Sequence, residues 1–347
     1  MNRIVLSTAL TLAAATPFTM HGQDSSDPEN LNRFSFGPSF GLNIKASFHN
    51  SSPGIPGSPG ANPGPAVGGV DHTYDDGYVN VDSSGNAGGQ TWNWGYHNGS
   101  QVVGDSLQFH STQANPLTLP AHNNVTGDPQ PGLELTYQRV LGHLPFGKST
   151  HWGLEFGFGY TDLDVSDSRS AHGLNTLTTD TFPLNGVLPP GAGYNGTFNG
   201  PGTLLGDTPS RAITLDATTL ASQQKLSGQL YTLRMGPFVE WNFTPKFSIA
   251  GSAGVALAPA VVDYDFSESY TTSSGTTTAS GHTSRTELLY GFFASGKLTY
   301  DFTKHWGIYA GAEYESLSDM KLSIGTHTAF LDTGSMVNVS AGVVWSF

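Results

Sequence analysis

The sequence predicts an all-β protein: an eight-stranded antiparallel up-and-down transmembrane β-barrel with long extracellular loops. Three observations predict it: segments of alternating apolar and polar residues, an even number of them joined by short and long connections in turn, and aromatic residues beside the short connections. Alternation with a period of two is typical of a strand with two unlike faces. In a closed membrane barrel one face meets lipid, and every backbone group is hydrogen-bonded to a neighbouring strand.

The bulk composition excludes several classes of protein. Charged residues are 12% of the 347, and the formal net charge is −13. This charged share is about half that of an ordinary globular protein, and the negative balance argues against nucleic acid as a partner. The chain has 44 Gly, 11% aromatic residues and no cysteine. Disulfide scaffolds and thiolate metal sites are therefore excluded.

The first 22 residues are predicted to be a secretory signal peptide. Arg3 precedes an apolar run from Ile4 to Ala15, and a short polar stretch leads to Gly22. This order of positive, apolar and cleavage regions is typical of such signals, so the mature chain is predicted to be 23–347. No later segment approaches the roughly 20 apolar residues of a membrane helix. A membrane location therefore requires strands.

Eight alternating segments are predicted as the strands of the barrel. They lie at about 34–48, 133–141, 152–161, 229–243, 247–257, 288–302, 306–314 and 335–347. The connections alternate long and short, which places the short turns at one end of the barrel and the long loops at the other. The two longest loop insertions, about 49–130 and 162–224, are rich in Gly, Pro, Asn and Thr and are predicted to be irregular. A secreted β-sandwich is the alternative fold, but it does not explain where the aromatic residues lie.

Aromatic residues mark the predicted turn end of the barrel. Trp152, Trp241, Trp306 and Trp345 all fall beside the short turns. An interfacial aromatic girdle belongs at this level of a membrane barrel. The last strand alternates apolar residues with small polar ones and ends on Phe347.

This last strand resembles the C-terminal strand of bacterial outer-membrane β-barrels, in which a terminal Phe with alternating apolar residues is the signal for barrel assembly. The mature chain resembles the small eight-stranded families, the OmpA transmembrane domain and OmpX-like proteins, in topology rather than in detailed motif. It departs from them in its very long first two loops. The resemblance implies a location in the bacterial outer membrane. It also implies membrane lipid and the barrel-assembly machinery as partners, with Phe347 as the assembly signal.

Charged residues on the polar rows of the strands are predicted to face the lumen. The expected lumen network consists of Glu134, Glu155, Arg234, Glu240, Lys297 and Glu313. Buried charges require partners, so we expect salt bridges and hydrogen bonds that fill the lumen. An eight-stranded barrel is just wide enough to be filled by its own side chains. The alternative is a gate that lines a narrow conduit.

No catalytic, cofactor-binding or metal-binding residue is predicted. Gly142–Ser149 fits the phosphate-loop expression, but an alternating strand follows it where that motif needs a helix. The tightest groupings of catalytic residue types are His282, Thr283 and Ser284 with Glu287, and His110 with Ser111. Nothing in the sequence fixes the geometry of either grouping. The aromatic stripe Trp92, Trp94 and Tyr96 fits either stacking on a ligand or packing within its own hairpin.

The function expected from these features is a structural or surface-interaction role through the external loops, with a possible extracellular ligand. The chain is not expected to be an enzyme and needs no cofactor. The alternative is a porin-like narrow pore for small solutes or ions. A third and less favoured hypothesis is an outer-membrane hydrolase.

Overall fold

The computed structural model describes residues 31–50, 61–81, 88–113, 117, 119–127, 129–145, 149–198, 200, 202–272 and 275–347. The predicted signal peptide, 1–22, lies outside the described residues. Within them the chain is all-β with antiparallel pairing throughout, and it contains one 3₁₀ turn at Gly99–Gln101. A helix with the length and apolar character to span a membrane is not found in this part of the chain.

Eight long strands form most of the ten-stranded main sheet, and each pairs with two of the others. They are β1 Asn32–Leu42, β2 Gln130–His143, β3 Thr150–Pro183, β4 Ser210–Asn242, β5 Phe247–Thr272, β6 Gly275–Asp301, β7 Trp306–Leu317 and β8 Met336–Ser346. Each strand pairs antiparallel with the next one in the chain, and β1 also pairs with β8. The predicted all-β, antiparallel architecture is confirmed, and all eight predicted strands are present.

Three short connections, 144–149, 243–246 and 302–305, lie at one end of these strands, here called the turn end, whereas the hairpin of β5 and β6 closes at the opposite end. The hydroxyl of Thr244 accepts a hydrogen bond from the backbone N–H of Phe247 at 2.9 Å, and Thr303 accepts one from Trp306 at 2.9 Å. Such local bonds favour tight turns because they satisfy backbone groups that have no ladder partner. At the same end the backbone N–H of Phe347 donates to the carbonyl of Asn32 at 2.9 Å.

The side chains that point outward near the turn end form an apolar belt. Its members include Phe36 and Phe40 on β1, Leu133 and Leu135 on β2, Leu154, Phe156 and Phe158 on β3, Leu233, Met235 and Val239 on β4, Ile249, Val255 and Leu257 on β5, Phe292 and Leu298 on β6, Ile308 and Tyr314 on β7, and Val339 and Val343 on β8, all of them exposed. A continuous exposed apolar surface of this kind is not stable in water. On β3 the belt runs from Trp152 to Tyr160, which is within the roughly 9–11 residues with which a tilted strand crosses a membrane.

Beyond the belt the apolar residues change to the opposite face of the same strands. On β3 the outward residue after Tyr160 is Asp162, whereas the inward residues Leu163 and Val165 are buried. On β4 and β5 the inward residues at this level are also apolar and buried, as at Leu230. An apolar inside with a polar outside is the pattern of a β-structure surrounded by water. The outer surface of these strands therefore changes from apolar in the belt to polar beyond it.

Several segments predicted as irregular loops are strands in the structure. Most of 162–224 belongs to β3 and β4, which reach Pro183 and start at Ser210, and most of the connection between the predicted strands 247–257 and 288–302 belongs to β5 and β6. These segments are rich in Thr and Ser, and their apolar residues occupy inward positions, whereas those of the belt occupy outward positions. Thr is nevertheless a good strand former. The loop interpretation of 162–224 was wrong, because strand alternation continues through most of this range with the apolar residues on the inward face.

The predicted first strand, 34–48, is also divided in two. β1 ends at Leu42, and Asn43 has a φ of 62°. This left-handed conformation interrupts a ladder, and Asn is one of the few residues that adopt it readily. The following strand, Lys45–Asn50, leaves the main sheet and joins a different one.

This second sheet closes the base of a large head, which consists of β3 to β6 beyond the belt and of the described residues of the connections 43–129, 184–209 and 318–335. Its four strands, in spatial order, are Met320–Ile324, His327–Asp332, Lys45–Asn50 and His122–Thr126. Between it and β3 to β6 lies an apolar core that includes Ile44, Phe48, Leu163, Val165, Leu226, Val262, Tyr264, Leu289, Met320, Leu322 and Leu331. The head is thus folded around a core of its own.

The far end of the head, here called the tip, has a second core. Three short strands, His72–Tyr74, Gly77–Val79 and Trp94–Tyr96, form a sheet, and Ser106–Gln113 pairs with the upper part of β3. Their shared core consists of Tyr74, Val79, Trp94, Tyr96, Leu107, Phe109, Phe182, Leu184 and Leu205. The described residues of the predicted insertion 49–130 therefore include several strands.

Candidate functional site

The interior of the eight-stranded sheet holds the charged residues that the sequence predicts to face the lumen. They are Glu134 on β2, Glu155 on β3, Arg234 and Glu240 on β4, Lys297 on β6 and Glu313 on β7. Each occupies an inward position of its strand, and the six residues are only 5% to 8% exposed. Strand alternation alone places them there, because every second side chain of a strand points to the same face.

Arg234 is the centre of the largest interior cluster. Its guanidinium contacts Glu313, lies 3.3 Å from a carboxylate oxygen of Glu134 and lies 3.6 Å from one of Glu315. Gly157 is directly opposite on β3, and a Cβ added there would lie 2.7 Å from Nε of Arg234. The absence of a side chain at Gly157 thus leaves the space that the guanidinium occupies. One cation is shared by three buried carboxylates.

The remaining predicted lumen residues do not join this cluster through direct ion pairs. Glu155 accepts hydrogen bonds from the amide of Gln138 at 2.6 Å and the hydroxyl of Ser252 at 2.7 Å. The ammonium of Lys297 lies over the ring of Tyr309, 4.9 Å from its centroid. These two charges are therefore stabilised by polar and aromatic neighbours and not by one continuous salt-bridge network.

A separate cluster lies at the turn end. Arg33 on β1 pairs with Glu240 at 2.6 Å and with Asp301 at 3.5 Å. The sequence reasoning did not include Arg33 or Asp301. Arg33 belongs to the same polar row as Ser35, so extending the first strand by one residue would have found it. These residues line a recess of about 240 Å³ that opens at the turn end.

Side chains also occupy the interior beside and above that recess. Phe238 and Phe293 point inward and are buried, and the guanidinium of Arg234 lies 5.8 Å from the centroid of the Phe293 ring. Beside Arg234 a cavity of only about 10 Å³ remains, bordered by Glu134 and Glu315. A cavity of this size holds about one water molecule. Higher still, the apolar core of the head fills the space between the two sheets.

The four tryptophans of the predicted girdle lie on the outer surface at the turn end. Trp152, Trp241, Trp306 and Trp345 are 40% to 54% exposed. The Trp345 ring stacks with that of Phe347 at 4.4 Å between centroids. Phe347 is thus part of the same aromatic band, and its role as an assembly signal stays a prediction.

The tip contains a buried ion pair that the sequence reasoning missed. Asp180 on β3 has no exposed surface, and it accepts hydrogen bonds from the hydroxyl of Tyr74 at 2.8 Å and from Nε and Nη2 of Arg211 at 2.8 and 2.6 Å. Burial, together with the neighbouring Asp180 carboxylate, raises the pKa of Tyr74. The same carboxylate raises the pKa of Arg211. Both partners of Asp180 thus stay protonated and keep donating to it.

The two candidate histidine groupings have other partners than those expected for catalysis. His282 lies 2.7 Å from a carboxylate oxygen of Asp265, and both side chains are exposed. His110 lies 2.7 Å from Asp76, whereas the hydroxyl of Ser111 donates to the carbonyl of Ala61. A nucleophilic serine requires a hydrogen bond to its base. Neither grouping has the arrangement that the hydrolase hypothesis needs.

Other sequence motifs resolve into structural elements. β3 starts at Thr150, so a strand and not a helix follows the phosphate-loop-like segment, of which 146–148 lie outside the described residues. Trp94 and Tyr96 are buried in the core of the tip. No group of three or more His, Asp or Glu in the described part of the chain is placed to hold a metal ion.

Comparisons with known proteins find likeness only among solved structures. No protein-family model and no curated protein matches the chain. The similar structures include the attachment invasion locus protein Ail of Yersinia pestis, at 9% identity over 90% of this chain and 98% of that chain, with a TM-score of 0.25. They also include the outer membrane protease OmpT from Escherichia coli, at 11% identity over 92% and 97% with a TM-score of 0.28, and the outer membrane protein OprG from Pseudomonas aeruginosa, at 9% identity over 92% and 97% with a TM-score of 0.27.

Proposed function

We propose that this chain is a bacterial outer-membrane protein whose eight long strands form a closed transmembrane β-barrel, and that its head is a surface-interaction module outside the cell. The observation that carries this proposal is the change of phase along the strands. Near the turn end the apolar side chains face outward and the charged ones inward, as at Phe158 and Glu155, whereas beyond Tyr160 the order is reversed. Lipid around the belt explains the outward apolar side chains there, and water around the head explains the reversed order beyond Tyr160.

The orientation of the barrel follows from its connections. Outer-membrane barrels have short turns on the periplasmic side and long connections outside. The turn end therefore faces the periplasm, with the tryptophan girdle at that interface of the membrane. The head projects from the cell surface. Membrane lipid and the assembly machinery, with Phe347 as its signal, are the partners that this arrangement requires.

A surface-interaction role is favoured over a pore because the interior is occupied. The Arg234 cluster, Phe238 and Phe293 fill the barrel, and the core of the head covers its outer mouth. A conducting barrel needs a water-filled path, which barrels of eight strands rarely leave. The contact between His282 and Asp265, both exposed, does not by itself define a catalytic site, so the hydrolase hypothesis stays a prediction and forms no part of the proposal.

The test combines migration on gels with surface labelling. A closed barrel keeps its fold in cold detergent, so the mature protein from an outer-membrane fraction should change its mobility on boiling. An epitope inserted after Gly191, where the structure leaves open space, should be labelled by antibody on intact cells. The matched insertion after Pro245, in a short turn, should be labelled only after permeabilisation.

Three results would contradict the proposal. An unchanged mobility on boiling, with the protein in a soluble fraction, would remove the barrel. Regular single-channel steps in a planar bilayer would replace the interaction role by the pore. Labelling at Pro245 on intact cells, and not at Gly191, would invert the orientation.

A further inference from the structure

Two histidines lie opposite each other where β2 and β3 meet at the turn end. His143 on β2 pairs with His151 on β3 in the ladder, and their ring centroids are 4.6 Å apart with an angle of 50° between the ring planes. Neither ring takes part in the Arg234 cluster or in the ion pairs of Arg33. The pair is therefore a separate group of polar side chains at this end of the barrel.

A β-bulge in β2 brings the two rings together. The register with β3 shifts between Val140 and Gly142, so Leu141 has no partner of its own. An extra residue of this kind changes the phase of the side chains that follow it. Without the bulge His143 would continue the outward row of β2, whereas with it His143 lies opposite the inward residue His151. Bulges occur preferentially next to functional sites, where they re-aim a side chain.

The ring of His143 has unused hydrogen-bonding capacity. Both of its ring nitrogens are buried, and neither has a hydrogen-bond partner in the part of the chain that the structure describes. Buried polar atoms without a partner are rare in folded proteins because each one costs free energy. A bound ion that accepts the lone pair of one nitrogen would remove part of that cost.

His151 is held in place by a neighbour on β4. Its side chain is buried, and Nδ1 lies 3.3 Å from the side-chain amide of Asn242. The backbone N–H of Asn242 donates to the carbonyl of Ser149 at 2.9 Å, which fixes that residue against β3. A histidine that binds a metal ion through one nitrogen usually donates the proton of the other to such a neighbour. With Asn242 beside Nδ1, Nε2 is the nitrogen of His151 that would bind an ion.

The spacing of the two rings fits two ligands of one ion. With metal–nitrogen distances of about 2.0–2.1 Å and tetrahedral coordination, the centroids of two imidazole ligands lie roughly 5 Å apart. The observed separation of 4.6 Å needs only a small adjustment. His151 also lines the recess of about 240 Å³ at the turn end, so the site has room for water molecules as further ligands.

The ligand type determines the class of ion. Imidazole nitrogen suits zinc, copper and nickel, whereas calcium and magnesium require oxygen ligands. The chain has no cysteine that could compete as a thiolate. No third His, Asp or Glu of the described residues is placed to complete a site, so the protein supplies two nitrogens. Binding is therefore expected to be weaker than at a structural zinc site with four protein ligands.

We propose that His143 and His151 form a binding site for one divalent late transition-metal ion, Cu²⁺ or Zn²⁺, beside the recess at the turn end. The proposal goes beyond the proposed function, which assigns no ligand to this end of the molecule. It also holds whichever side of the membrane the turn end faces, because it depends only on the two facing rings and the recess.

The first test titrates the full mature protein in phosphatidylcholine vesicles with Cu²⁺, the divalent ion expected to bind most tightly. Electron paramagnetic resonance should show one copper ion coupled to the nitrogens of two imidazoles. His143→Gln and His151→Gln should each lower the affinity of this site about tenfold or more, because loss of an outer partner of a ligand already costs about 10–100-fold. Mg²⁺ at the same concentrations should not compete.

Two controls address the other histidines, of which the chain has 12 in all. His172→Gln removes an exposed histidine of the head and should leave the two-nitrogen signal unchanged. Leu141→His combined with His143→Gln keeps the number of histidines but moves one ring to an exposed position, and it should not restore the signal.

A second measurement needs no substitution. An ion that binds the folded protein and links β2 to β3 should raise the urea midpoint of unfolding of the parent protein as its concentration increases, and Zn²⁺ should do so as well as Cu²⁺. In His143→Gln and His151→Gln this dependence should be lost.

The outcomes separate this inference from the proposed function. A parent protein that shifts on boiling but shows no copper with two imidazole nitrogens would refute the site and leave the outer-membrane assignment intact. A two-nitrogen signal that survives His143→Gln, or one that disappears in His172→Gln, would place the ion elsewhere and refute the site equally. Loss of the boiling shift in the parent protein would refute the proposed function instead.

Discussion

Removal of the interior cation should strongly destabilise the barrel. Arg234 is the shared partner of Glu134, Glu313 and Glu315, all of them buried. The substitution Arg234→Met keeps most of the aliphatic volume and removes the charge. Three carboxylates would then lie close together without a cation, and such groups cannot all stay ionised in a site from which water is largely excluded.

The expected size of the effect follows from the burial of the cluster. Breaking a buried pair by removing one partner costs about 3–5 kcal/mol, because an uncompensated charge stays behind. Lys225 and Asp164 form a matched control on the outer surface of the head, where they lie 2.8 Å apart with about half of each side chain exposed. The same change at that site, Lys225→Met, should cost at most about 1 kcal/mol.

The measurement is urea-induced unfolding in lipid vesicles, followed by tryptophan fluorescence and by the gel shift. The double variant Arg234→Met with Glu313→Gln should recover about 0.5–3 kcal/mol relative to additivity, the range found for groups in contact. If Arg234→Met and Lys225→Met destabilise equally, the interior is well hydrated and the reasoning about occlusion is wrong.

Four further changes address the tip, the belt, a protonation and the packing of the interior. Asp180→Ala should destabilise the tip by roughly 3–5 kcal/mol and raise hydrogen exchange there, while the boiling shift stays. Leu233→Arg in the belt should cost about 2–4 kcal/mol in vesicle unfolding. The hydrogen bond to Asp76 raises the pKa of His110, so its stabilising effect is complete at low pH. Exchange protection at Ser106–Gln113 should therefore fall as pH rises above about 6.5, and His110→Gln should abolish that dependence. Gly157→Val should destabilise the barrel far more than Gly159→Val, because a Cβ at Gly159 lies 3.6 Å from its nearest neighbour.

The membrane part of the fold was predictable because it depends on a local rule. Each crossing segment alternates with period two, and the face of every side chain follows from its position in that alternation. That rule sufficed to place Glu134 or Lys297 inside. It could not tell which inward residues meet, because strand stagger decides this. Arg33 and Glu240 are 207 positions apart in the chain, and no local pattern links them.

The head was not predictable by the same rule because its strands place polar residues outward and apolar residues inward, the reverse of the belt. Sequence reasoning that seeks outward apolar residues stops at Tyr160, where the outward row becomes polar and the inward row becomes apolar. Asp180 and Arg211 consequently fell in a segment interpreted as loop, although they form the central ion pair of the tip. A search for both phases of alternation, one after the other along a single segment, would have extended β3 and β4.

The belt and the head share four strands. β3 to β6 run without interruption from the belt into the head, so the ladder that holds the barrel together also aligns the tip. The second sheet and its core pack against β3 to β6 at the base of the head. A continuous hydrogen-bonded sheet transmits orientation far better than a flexible linker does. The tip is therefore held at a fixed height and angle relative to the belt.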